Sequence, residues 1–86
     1  MDARALVAWN LRRLRVANEL SQEALAVDAE VDRTYVSRVE RQLENPTIGV
    51  LERLATALGV DIAEFFVRPK PGERKPTPMR GGRKVK

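Results

Sequence analysis

An all-α fold, a compact five-helix domain followed by a disordered basic tail, is what this chain predicts, and three observations carry that prediction. Apolar residues recur at helical spacing in successive segments up to Val67, and no segment alternates like a strand. Ser21, Asp32, Thr47 and Asp61 each stand just ahead of such a segment, where a side-chain oxygen can accept an orphan backbone N–H. Beyond Val67, Pro69, Pro71, Pro76 and Pro78 occur together with Gly72, Gly81 and Gly82, and only Met79 and Val85 are apolar. Such a segment buries too little to offset its ordering entropy. The expected division is therefore a domain over residues 1–67 and a disordered tail over residues 68–86.

The elements follow in order. Over residues 3–18, Ala3, Val7, Leu11 and Leu14 form one stripe, with Arg4, Arg12 and Arg13 on other faces. Trp9 falls roughly opposite that stripe, as a partly buried surface aromatic or as a contact for a partner subunit or the tail. Ser21 caps a second helix over about residues 22–29, with Glu23 in its first turn and Leu25, Ala26 and Ala29 buried. Asp32 opens a third, from Arg33 to about Arg41, with Val36 and Val39 facing inward and Val31 adding to the same core. The run from Gln42 to Pro46 breaks the pattern, since proline forces an extended residue before it. Thr47 caps a fourth helix with Ile48, Leu51, Leu54, Ala55 and Leu58 on one face, and Gly59 supplies the left-handed residue that ends it. Asp61 and Glu64 have capping-box spacing for a short fifth helix containing Ile62, Phe65 and Phe66. There is no internal repeat.

Composition narrows the function. With 86 residues and neither cysteine nor histidine, the chain has no disulfide, no Cys/His metal set and no imidazole base, so neither metal nor cofactor is expected. No glycine loop to cradle phosphate appears, and Ser37 beside Arg38 is not a nucleophile with its base, which excludes the enzyme classes considered. No apolar run reaches the roughly 18 residues of a membrane span. The first residues carry an acid at position 2 and arginines within their apolar stretch, unlike a signal peptide, so the cytoplasm is the expected compartment. The net charge of +4 is divided unevenly: residues 1–67 hold eight arginines against eleven carboxylates, a balance of −3, whereas residues 68–86 hold eight bases against Glu73, a balance of +7. Nucleic-acid affinity in residues 1–67 must therefore come from where the arginines are placed.

The stretch from Leu20 to Arg41 reads as two short helices split by a tight turn. The outward face of the second carries Arg33, Thr34, Ser37 and Arg38, donors suited to phosphates and base edges on an element that fits the major groove. The plainer reading of the same face is a solvated helix surface. Tyr35 either packs at the domain edge or offers its hydroxyl to a phosphate. Phe65 and Phe66 cannot both face the core of so short a helix. One fills it, and the other, with Ile62, forms an exposed apolar patch of the kind that marks an interface. Because one small module buries too little to select a site in a genome, a two-fold homodimer on two half-sites is expected. The tail, ending Met79-Arg80-Gly81-Gly82-Arg83-Lys84-Val85-Lys86, is a solubilising extension, an arm along phosphates or a minor groove, or a single-strand contact.

The residues also resemble a known family, the phage-repressor and Cro-like helix-turn-helix regulators. The resemblance rests on Leu11-Arg12-Arg13-Leu14-Arg15, Leu20-Ser21-Gln22-Glu23-Ala24-Leu25-Ala26, Val36-Ser37-Arg38-Val39-Glu40-Arg41, Asn45-Pro46-Thr47 and Leu54-Ala55 with Leu58-Gly59-Val60, in order and at family spacing from Val7 to Phe66. It implies a repressor-like fold and a transcription regulator of double-stranded DNA. It also implies base reading by Arg33, Thr34 and Arg38, with Ser37 between base and phosphate, and backbone contacts by Gln22, Arg41 and Asn45. Arg15 and Glu40 match a structural ion pair between the first and third helices. Three positions depart from the pattern: Glu30 and Gln42 stand where the family often has glycine in a turn, and Ala8 where glycine is frequent inside the first helix, a mild change. No small-molecule effector is expected. Alternatives from other classes are an antitoxin-type module for a protein partner, which the acidic balance of residues 1–67 suits, and an architectural DNA binder acting through the tail.

Overall fold

Local signals at the ends of the segments set the elements. The computed structural model describes residues 1–70 and Gly72. Four α-helices, α1 (Ala3–Ala17), α2 (Gln22–Ala29), α3 (Arg33–Glu40) and α4 (Ile48–Leu58), are followed by a 3-10 turn, Ile62–Phe66. Five side chains cap their N-termini: Asp2, Ser21, Asp32, Thr47 and Asp61 accept backbone N–H groups at 2.8–3.1 Å. The disorder expected of residues 68–86 lies, apart from residues 68–70 and Gly72, outside the described residues.

The C-terminal ends share one device. Glu19, Glu30, Gln42 and Gly59 are left-handed, with φ of 57°, 59°, 62° and 70°. The next residue in each case, Leu20, Val31, Leu43 or Val60, sends its N–H back to Arg15, Ala26, Arg38 or Ala55 at 2.8–3.1 Å. This closure satisfies carbonyls that the helix leaves open and reverses the chain at once. Leu20, Val31 and Val60 then tuck against the core, whereas Leu43 remains 46% exposed.

Helix α1 packs on α3 and on the 3-10 turn, and α2 packs on α3 and α4. The core is continuous through Leu11, Leu25, Val36, Val39, Leu54 and Phe65. Three expectations need correction. The fifth helix is a 3-10 turn: Glu64 N–H bonds to Asp61 O, three residues back, and the Glu64 side chain pairs with Arg13 rather than completing a capping box. Ala3 is exposed, because the buried face of α1 runs through Leu6, Val7, Ala8, Asn10, Leu11 and Leu14 to meet two neighbours. Trp9, at the edge of that widened face, is half-buried, in keeping with its reading as a partly buried surface aromatic. Ile48, at the first position of α4, is 70% exposed, since the core begins only at Leu51.

Asn10 is the polar centre of the joint between α1 and the 3-10 turn, and helical periodicity gave no reason to expect it. Fully buried, its amide nitrogen donates to Leu6 O, Phe65 O and Val67 O at 3.0, 2.9 and 2.8 Å, and its oxygen accepts Arg13 Nε at 3.0 Å. Arg13 Nη2 adds a contact to Glu64 O at 3.2 Å. Asn10→Ala strands two distant carbonyls and should lower stability by about 2–3 kcal/mol in urea unfolding. A loss below about 0.5 kcal/mol would show that water replaces the amide at no cost. Glu30→Gly should act in the opposite sense. It relieves a left-handed penalty of roughly 1–2 kcal/mol against a smaller gain in unfolded-state entropy, so the melting temperature should rise.

Candidate nucleic-acid interface

Helix α3 is oriented from beneath by a buried carboxylate. Glu40, on the inner side of its last turn, has a fully buried side chain. Arg15 Nε donates to Glu40 Oε2 at 2.6 Å and Arg15 Nη2 to Glu40 Oε1 at 3.0 Å, a two-point contact between α1 and α3. Arg12 Nε reaches Oε1 at 3.4 Å, and Gln22 Nε2, at the start of α2, reaches it at 3.1 Å. A third donor of Arg15, Nη1, bonds to Leu20 O at 2.9 Å, tying the network to the α1–α2 turn. Three helices are thus fixed to one carboxylate. Among the described residues no buried side-chain nitrogen or oxygen lacks a partner.

With Val36, Val39 and Glu40 turned inward, α3 turns Arg33, Thr34 and Arg38 to solvent, with Ser37 half-buried between them. Arg33 and Ser37, and Thr34 and Arg38, are each four residues apart and so share a stripe. Arg41 and Asn45 continue this surface as exposed residues after the helix. Two residues differ from a simple reading. Gln22 is half-buried and engaged with Glu40, so one of its amide protons is already committed. Arg38 folds along the end of its own helix: Nη2 donates to Leu43 O at 3.0 Å, and Nε lies 3.5 Å from Glu44 Oε1.

Tyr35 packs at the domain edge, the first of its two expected roles. Its ring is half-buried against the core, and burial together with the nearby Glu44 carboxylate raises the phenol above its ordinary value, opposed by a hydrogen bond from the Thr47 backbone. It therefore pins the loop after α3 to the start of α4. Of the candidate interface residues, Phe65 is completely buried, so it belongs to the core and is withdrawn as a partner contact. Ile62 is half-buried and packs on the same core. Phe66 and Val67, at 43% and 45% exposure, carry the apolar surface instead. Beside Phe66 lies a groove of about 240 Å³, with Ala3, Val7, Pro46, Ile48 and Leu51 in its walls.

The Tyr35 environment has a direct readout, because it is the sole tyrosine. In the folded chain the phenolate absorbance should appear with a midpoint above the ordinary value near 10, and return to it in urea. Since the folded form holds the proton more tightly, this contribution to stability is complete below pH about 10 and is lost as pH rises through the folded midpoint. An unshifted midpoint in the folded protein would contradict the half-buried placement.

The geometry of two short helices across a left-handed turn, the second offering polar groups outward, agrees with comparison to known proteins. A helix-turn-helix family model matches residues 11–65. A relative from Neisseria meningitidis serogroup B, a hypothetical transcription factor, is 44% identical over 69 residues, spanning 80% of this chain and 65% of the relative. The solved structure of the hypothetical transcription factor NHTF from Neisseria superposes with a TM-score of 0.76 at 44% identity, over 79% of this chain and 78% of that one. The restriction-modification controller protein C.Esp1396I, solved as a tetramer in complex with its natural 35-base-pair operator, matches with a TM-score of 0.71 at 33% identity, over 77% of this chain and 87% of that one. No described helix is long and apolar enough to cross a membrane. From residue 11 to residue 65, in sequence and in fold, this chain belongs to the helix-turn-helix family.

Proposed function

We propose that the chain is a sequence-specific regulator of transcription that binds double-stranded DNA in the cytoplasm, as a homodimer on an operator of two related half-sites. One observation carries the reading: α3 is held by Glu40 so that its outer stripe consists of Arg33, Thr34, Ser37 and Arg38. A rigid helix with two guanidinium groups and two hydroxyls on one side matches the donor and acceptor pattern of major-groove base edges. Arg33, Thr34 and Arg38 read bases, Ser37 serves either base or phosphate, and Gln22, Tyr35, Arg41 and Asn45 approach the backbone. Gln22 does so with the amide atoms that Glu40 leaves uncommitted. The operator-bound state of the controller protein, a tetramer, favours assembly on DNA over a lone module.

The partner surface in this proposal is the exposed edge made by Phe66, Val67 and Ile48 around the groove near Val7 and Leu51. A second copy is the occupant that also supplies the second reading helix, which a single small module needs for selectivity. The +7 balance of residues 68–86 adds phosphate attraction without sequence information.

Selection from a random duplex pool at about 0.15 M salt, where the screening length is roughly 8 Å, should enrich a two-fold motif with half-site centres about one helical turn apart. Arg33→Ala or Arg38→Ala should flatten preference at one or two base pairs per half-site, each losing roughly 1–3 kcal/mol of discrimination. Sedimentation should give a dimer that Phe66→Ser weakens. Removing residues 69–86 should lower the salt slope of binding and keep the motif. Enrichment of no sequence, together with a monomeric mass with and without DNA, would overturn the reading.

A further inference from the structure

Residues 38 and 43 are joined twice. The main chain does it first: Leu43 N–H donates to Arg38 O at 2.8 Å, closing α3 through the left-handed Gln42. The same closure presents the Leu43 carbonyl to the Arg38 guanidinium, which binds it through Nη2 at 3.0 Å. Glu44, one residue on, brings Oε1 to 3.5 Å from Arg38 Nε. The guanidinium therefore lies bent toward the C-terminal end of its own helix, where open carbonyls favour a cation. Both side chains remain within reach of solvent, at 46% and 32% exposure, so the arrangement opens without disturbing the core. The same carboxylate lies close to Tyr35, which holds the loop from the other side.

We propose that Glu44 is a further residue of the DNA-reading face that sets operator affinity, clasping Arg38 against Leu43 until a matching base edge takes its place. The inference rests on the DNA-binding reading given above and adds a residue to it. Its logic is a competition between partners. A phosphate is available at every site and offers Arg38 an ion pair much like the one it already has, while Glu44 itself repels the phosphate. Random engagement therefore gains little. A guanine offers O6 and N7 side by side, two acceptors that together replace the Leu43 carbonyl and the Glu44 carboxylate. On random DNA Arg38 stays clasped and the contact costs little, whereas at the operator Arg38 must leave it and meets that cost in full, so the clasp limits operator affinity.

The test is a double-mutant cycle on the full-length chain. Affinities of wild type, Glu44→Gln, Arg38→Ala and the double variant are measured for the selected operator and for a scrambled duplex of equal length, with thermal melts confirming that each variant is folded. Glu44→Gln should tighten operator binding by about two- to fivefold, the range of an exposed ion pair, and tighten binding to the scrambled duplex less. In the Arg38→Ala background that difference should vanish. Equal tightening on both duplexes, or the same effect without Arg38, would reduce Glu44 to simple charge repulsion and overturn the clasp. So would no change on either duplex. If wild type itself distinguishes no duplex, the DNA-binding reading has failed, a result separate from any of these.

Discussion

A carboxylate buried among three helices is the constraint on which the rest of this small structure depends. Removing Glu40 from water costs several kcal/mol, and the fold offsets that with donors from Arg15, Arg12 and Gln22. Apolar contacts through Val36 and Val39 set how deep α3 sits, yet they are non-directional and tolerate rotation. The two-point contact with Arg15 is directional. Turning α3 by one residue, about 100°, would carry Glu40 away from Arg15 and bring a different set of side chains outward. The face that α3 turns to solvent is thus decided on the opposite side of the helix, by groups that never reach it.

The same economy governs the helix ends. Each of the four helices closes through a left-handed residue and an immediate return of the next N–H, so connections stay short and the next cap follows within a few residues. Three of the four left-handed positions are Glu19, Glu30 and Gln42 rather than glycine, which carries local strain. Packing of the following Leu20, Val31 and Val60 compensates at three of the ends. At the fourth, Leu43 stays exposed, and the loop is held by polar contacts to Arg38 and Tyr35 instead. The end of α3 is therefore fastened in part by a group, Arg38, that also faces solvent.

Much of the fold was legible because its signals are local. Four of the five N-caps, the inward faces of α2 and α3 and the glycine end of α4 follow from residue type and spacing. The outward placement of Arg33, Thr34 and Arg38 follows too, as the complement of an apolar stripe. What spacing missed depends on partners distant in the chain. Asn10 looks like a surface residue until the carbonyls of Phe65 and Val67 arrive over it. The 3-10 form of residues 62–66 reflects the same joint, where Arg13 takes the Glu64 side chain that a capping box would use. Ile48 has the right phase for the core but sits one turn too early. Gln22 and Arg38 have the residue types of a reading face, but spacing is silent on the internal acceptors that hold them.

Charge accounting sharpens why placement must do the work. Residues 1–67 carry a balance of −3, and their arginines are not equally available. Arg12 and Arg15 are drawn to Glu40, Arg13 to Glu64 and Arg38 to Glu44. Among the described residues, Arg33 and Arg41 on the α3 side have no carboxylate within ion-pair distance, so on the proposed reading they are the cations first met by DNA. Two such groups per module give weak attraction to phosphate at large and leave binding sensitive to what lies on the base edges. Doubling the module then restores affinity without surrendering that sensitivity, because each copy must find its own matching half-site. A basic tail outside the domain can add reach along the backbone while the folded surface stays selective. On the proposed reading the acidic domain and the basic tail are complementary rather than contradictory: one limits indiscriminate attraction, the other supplies a measured amount of it.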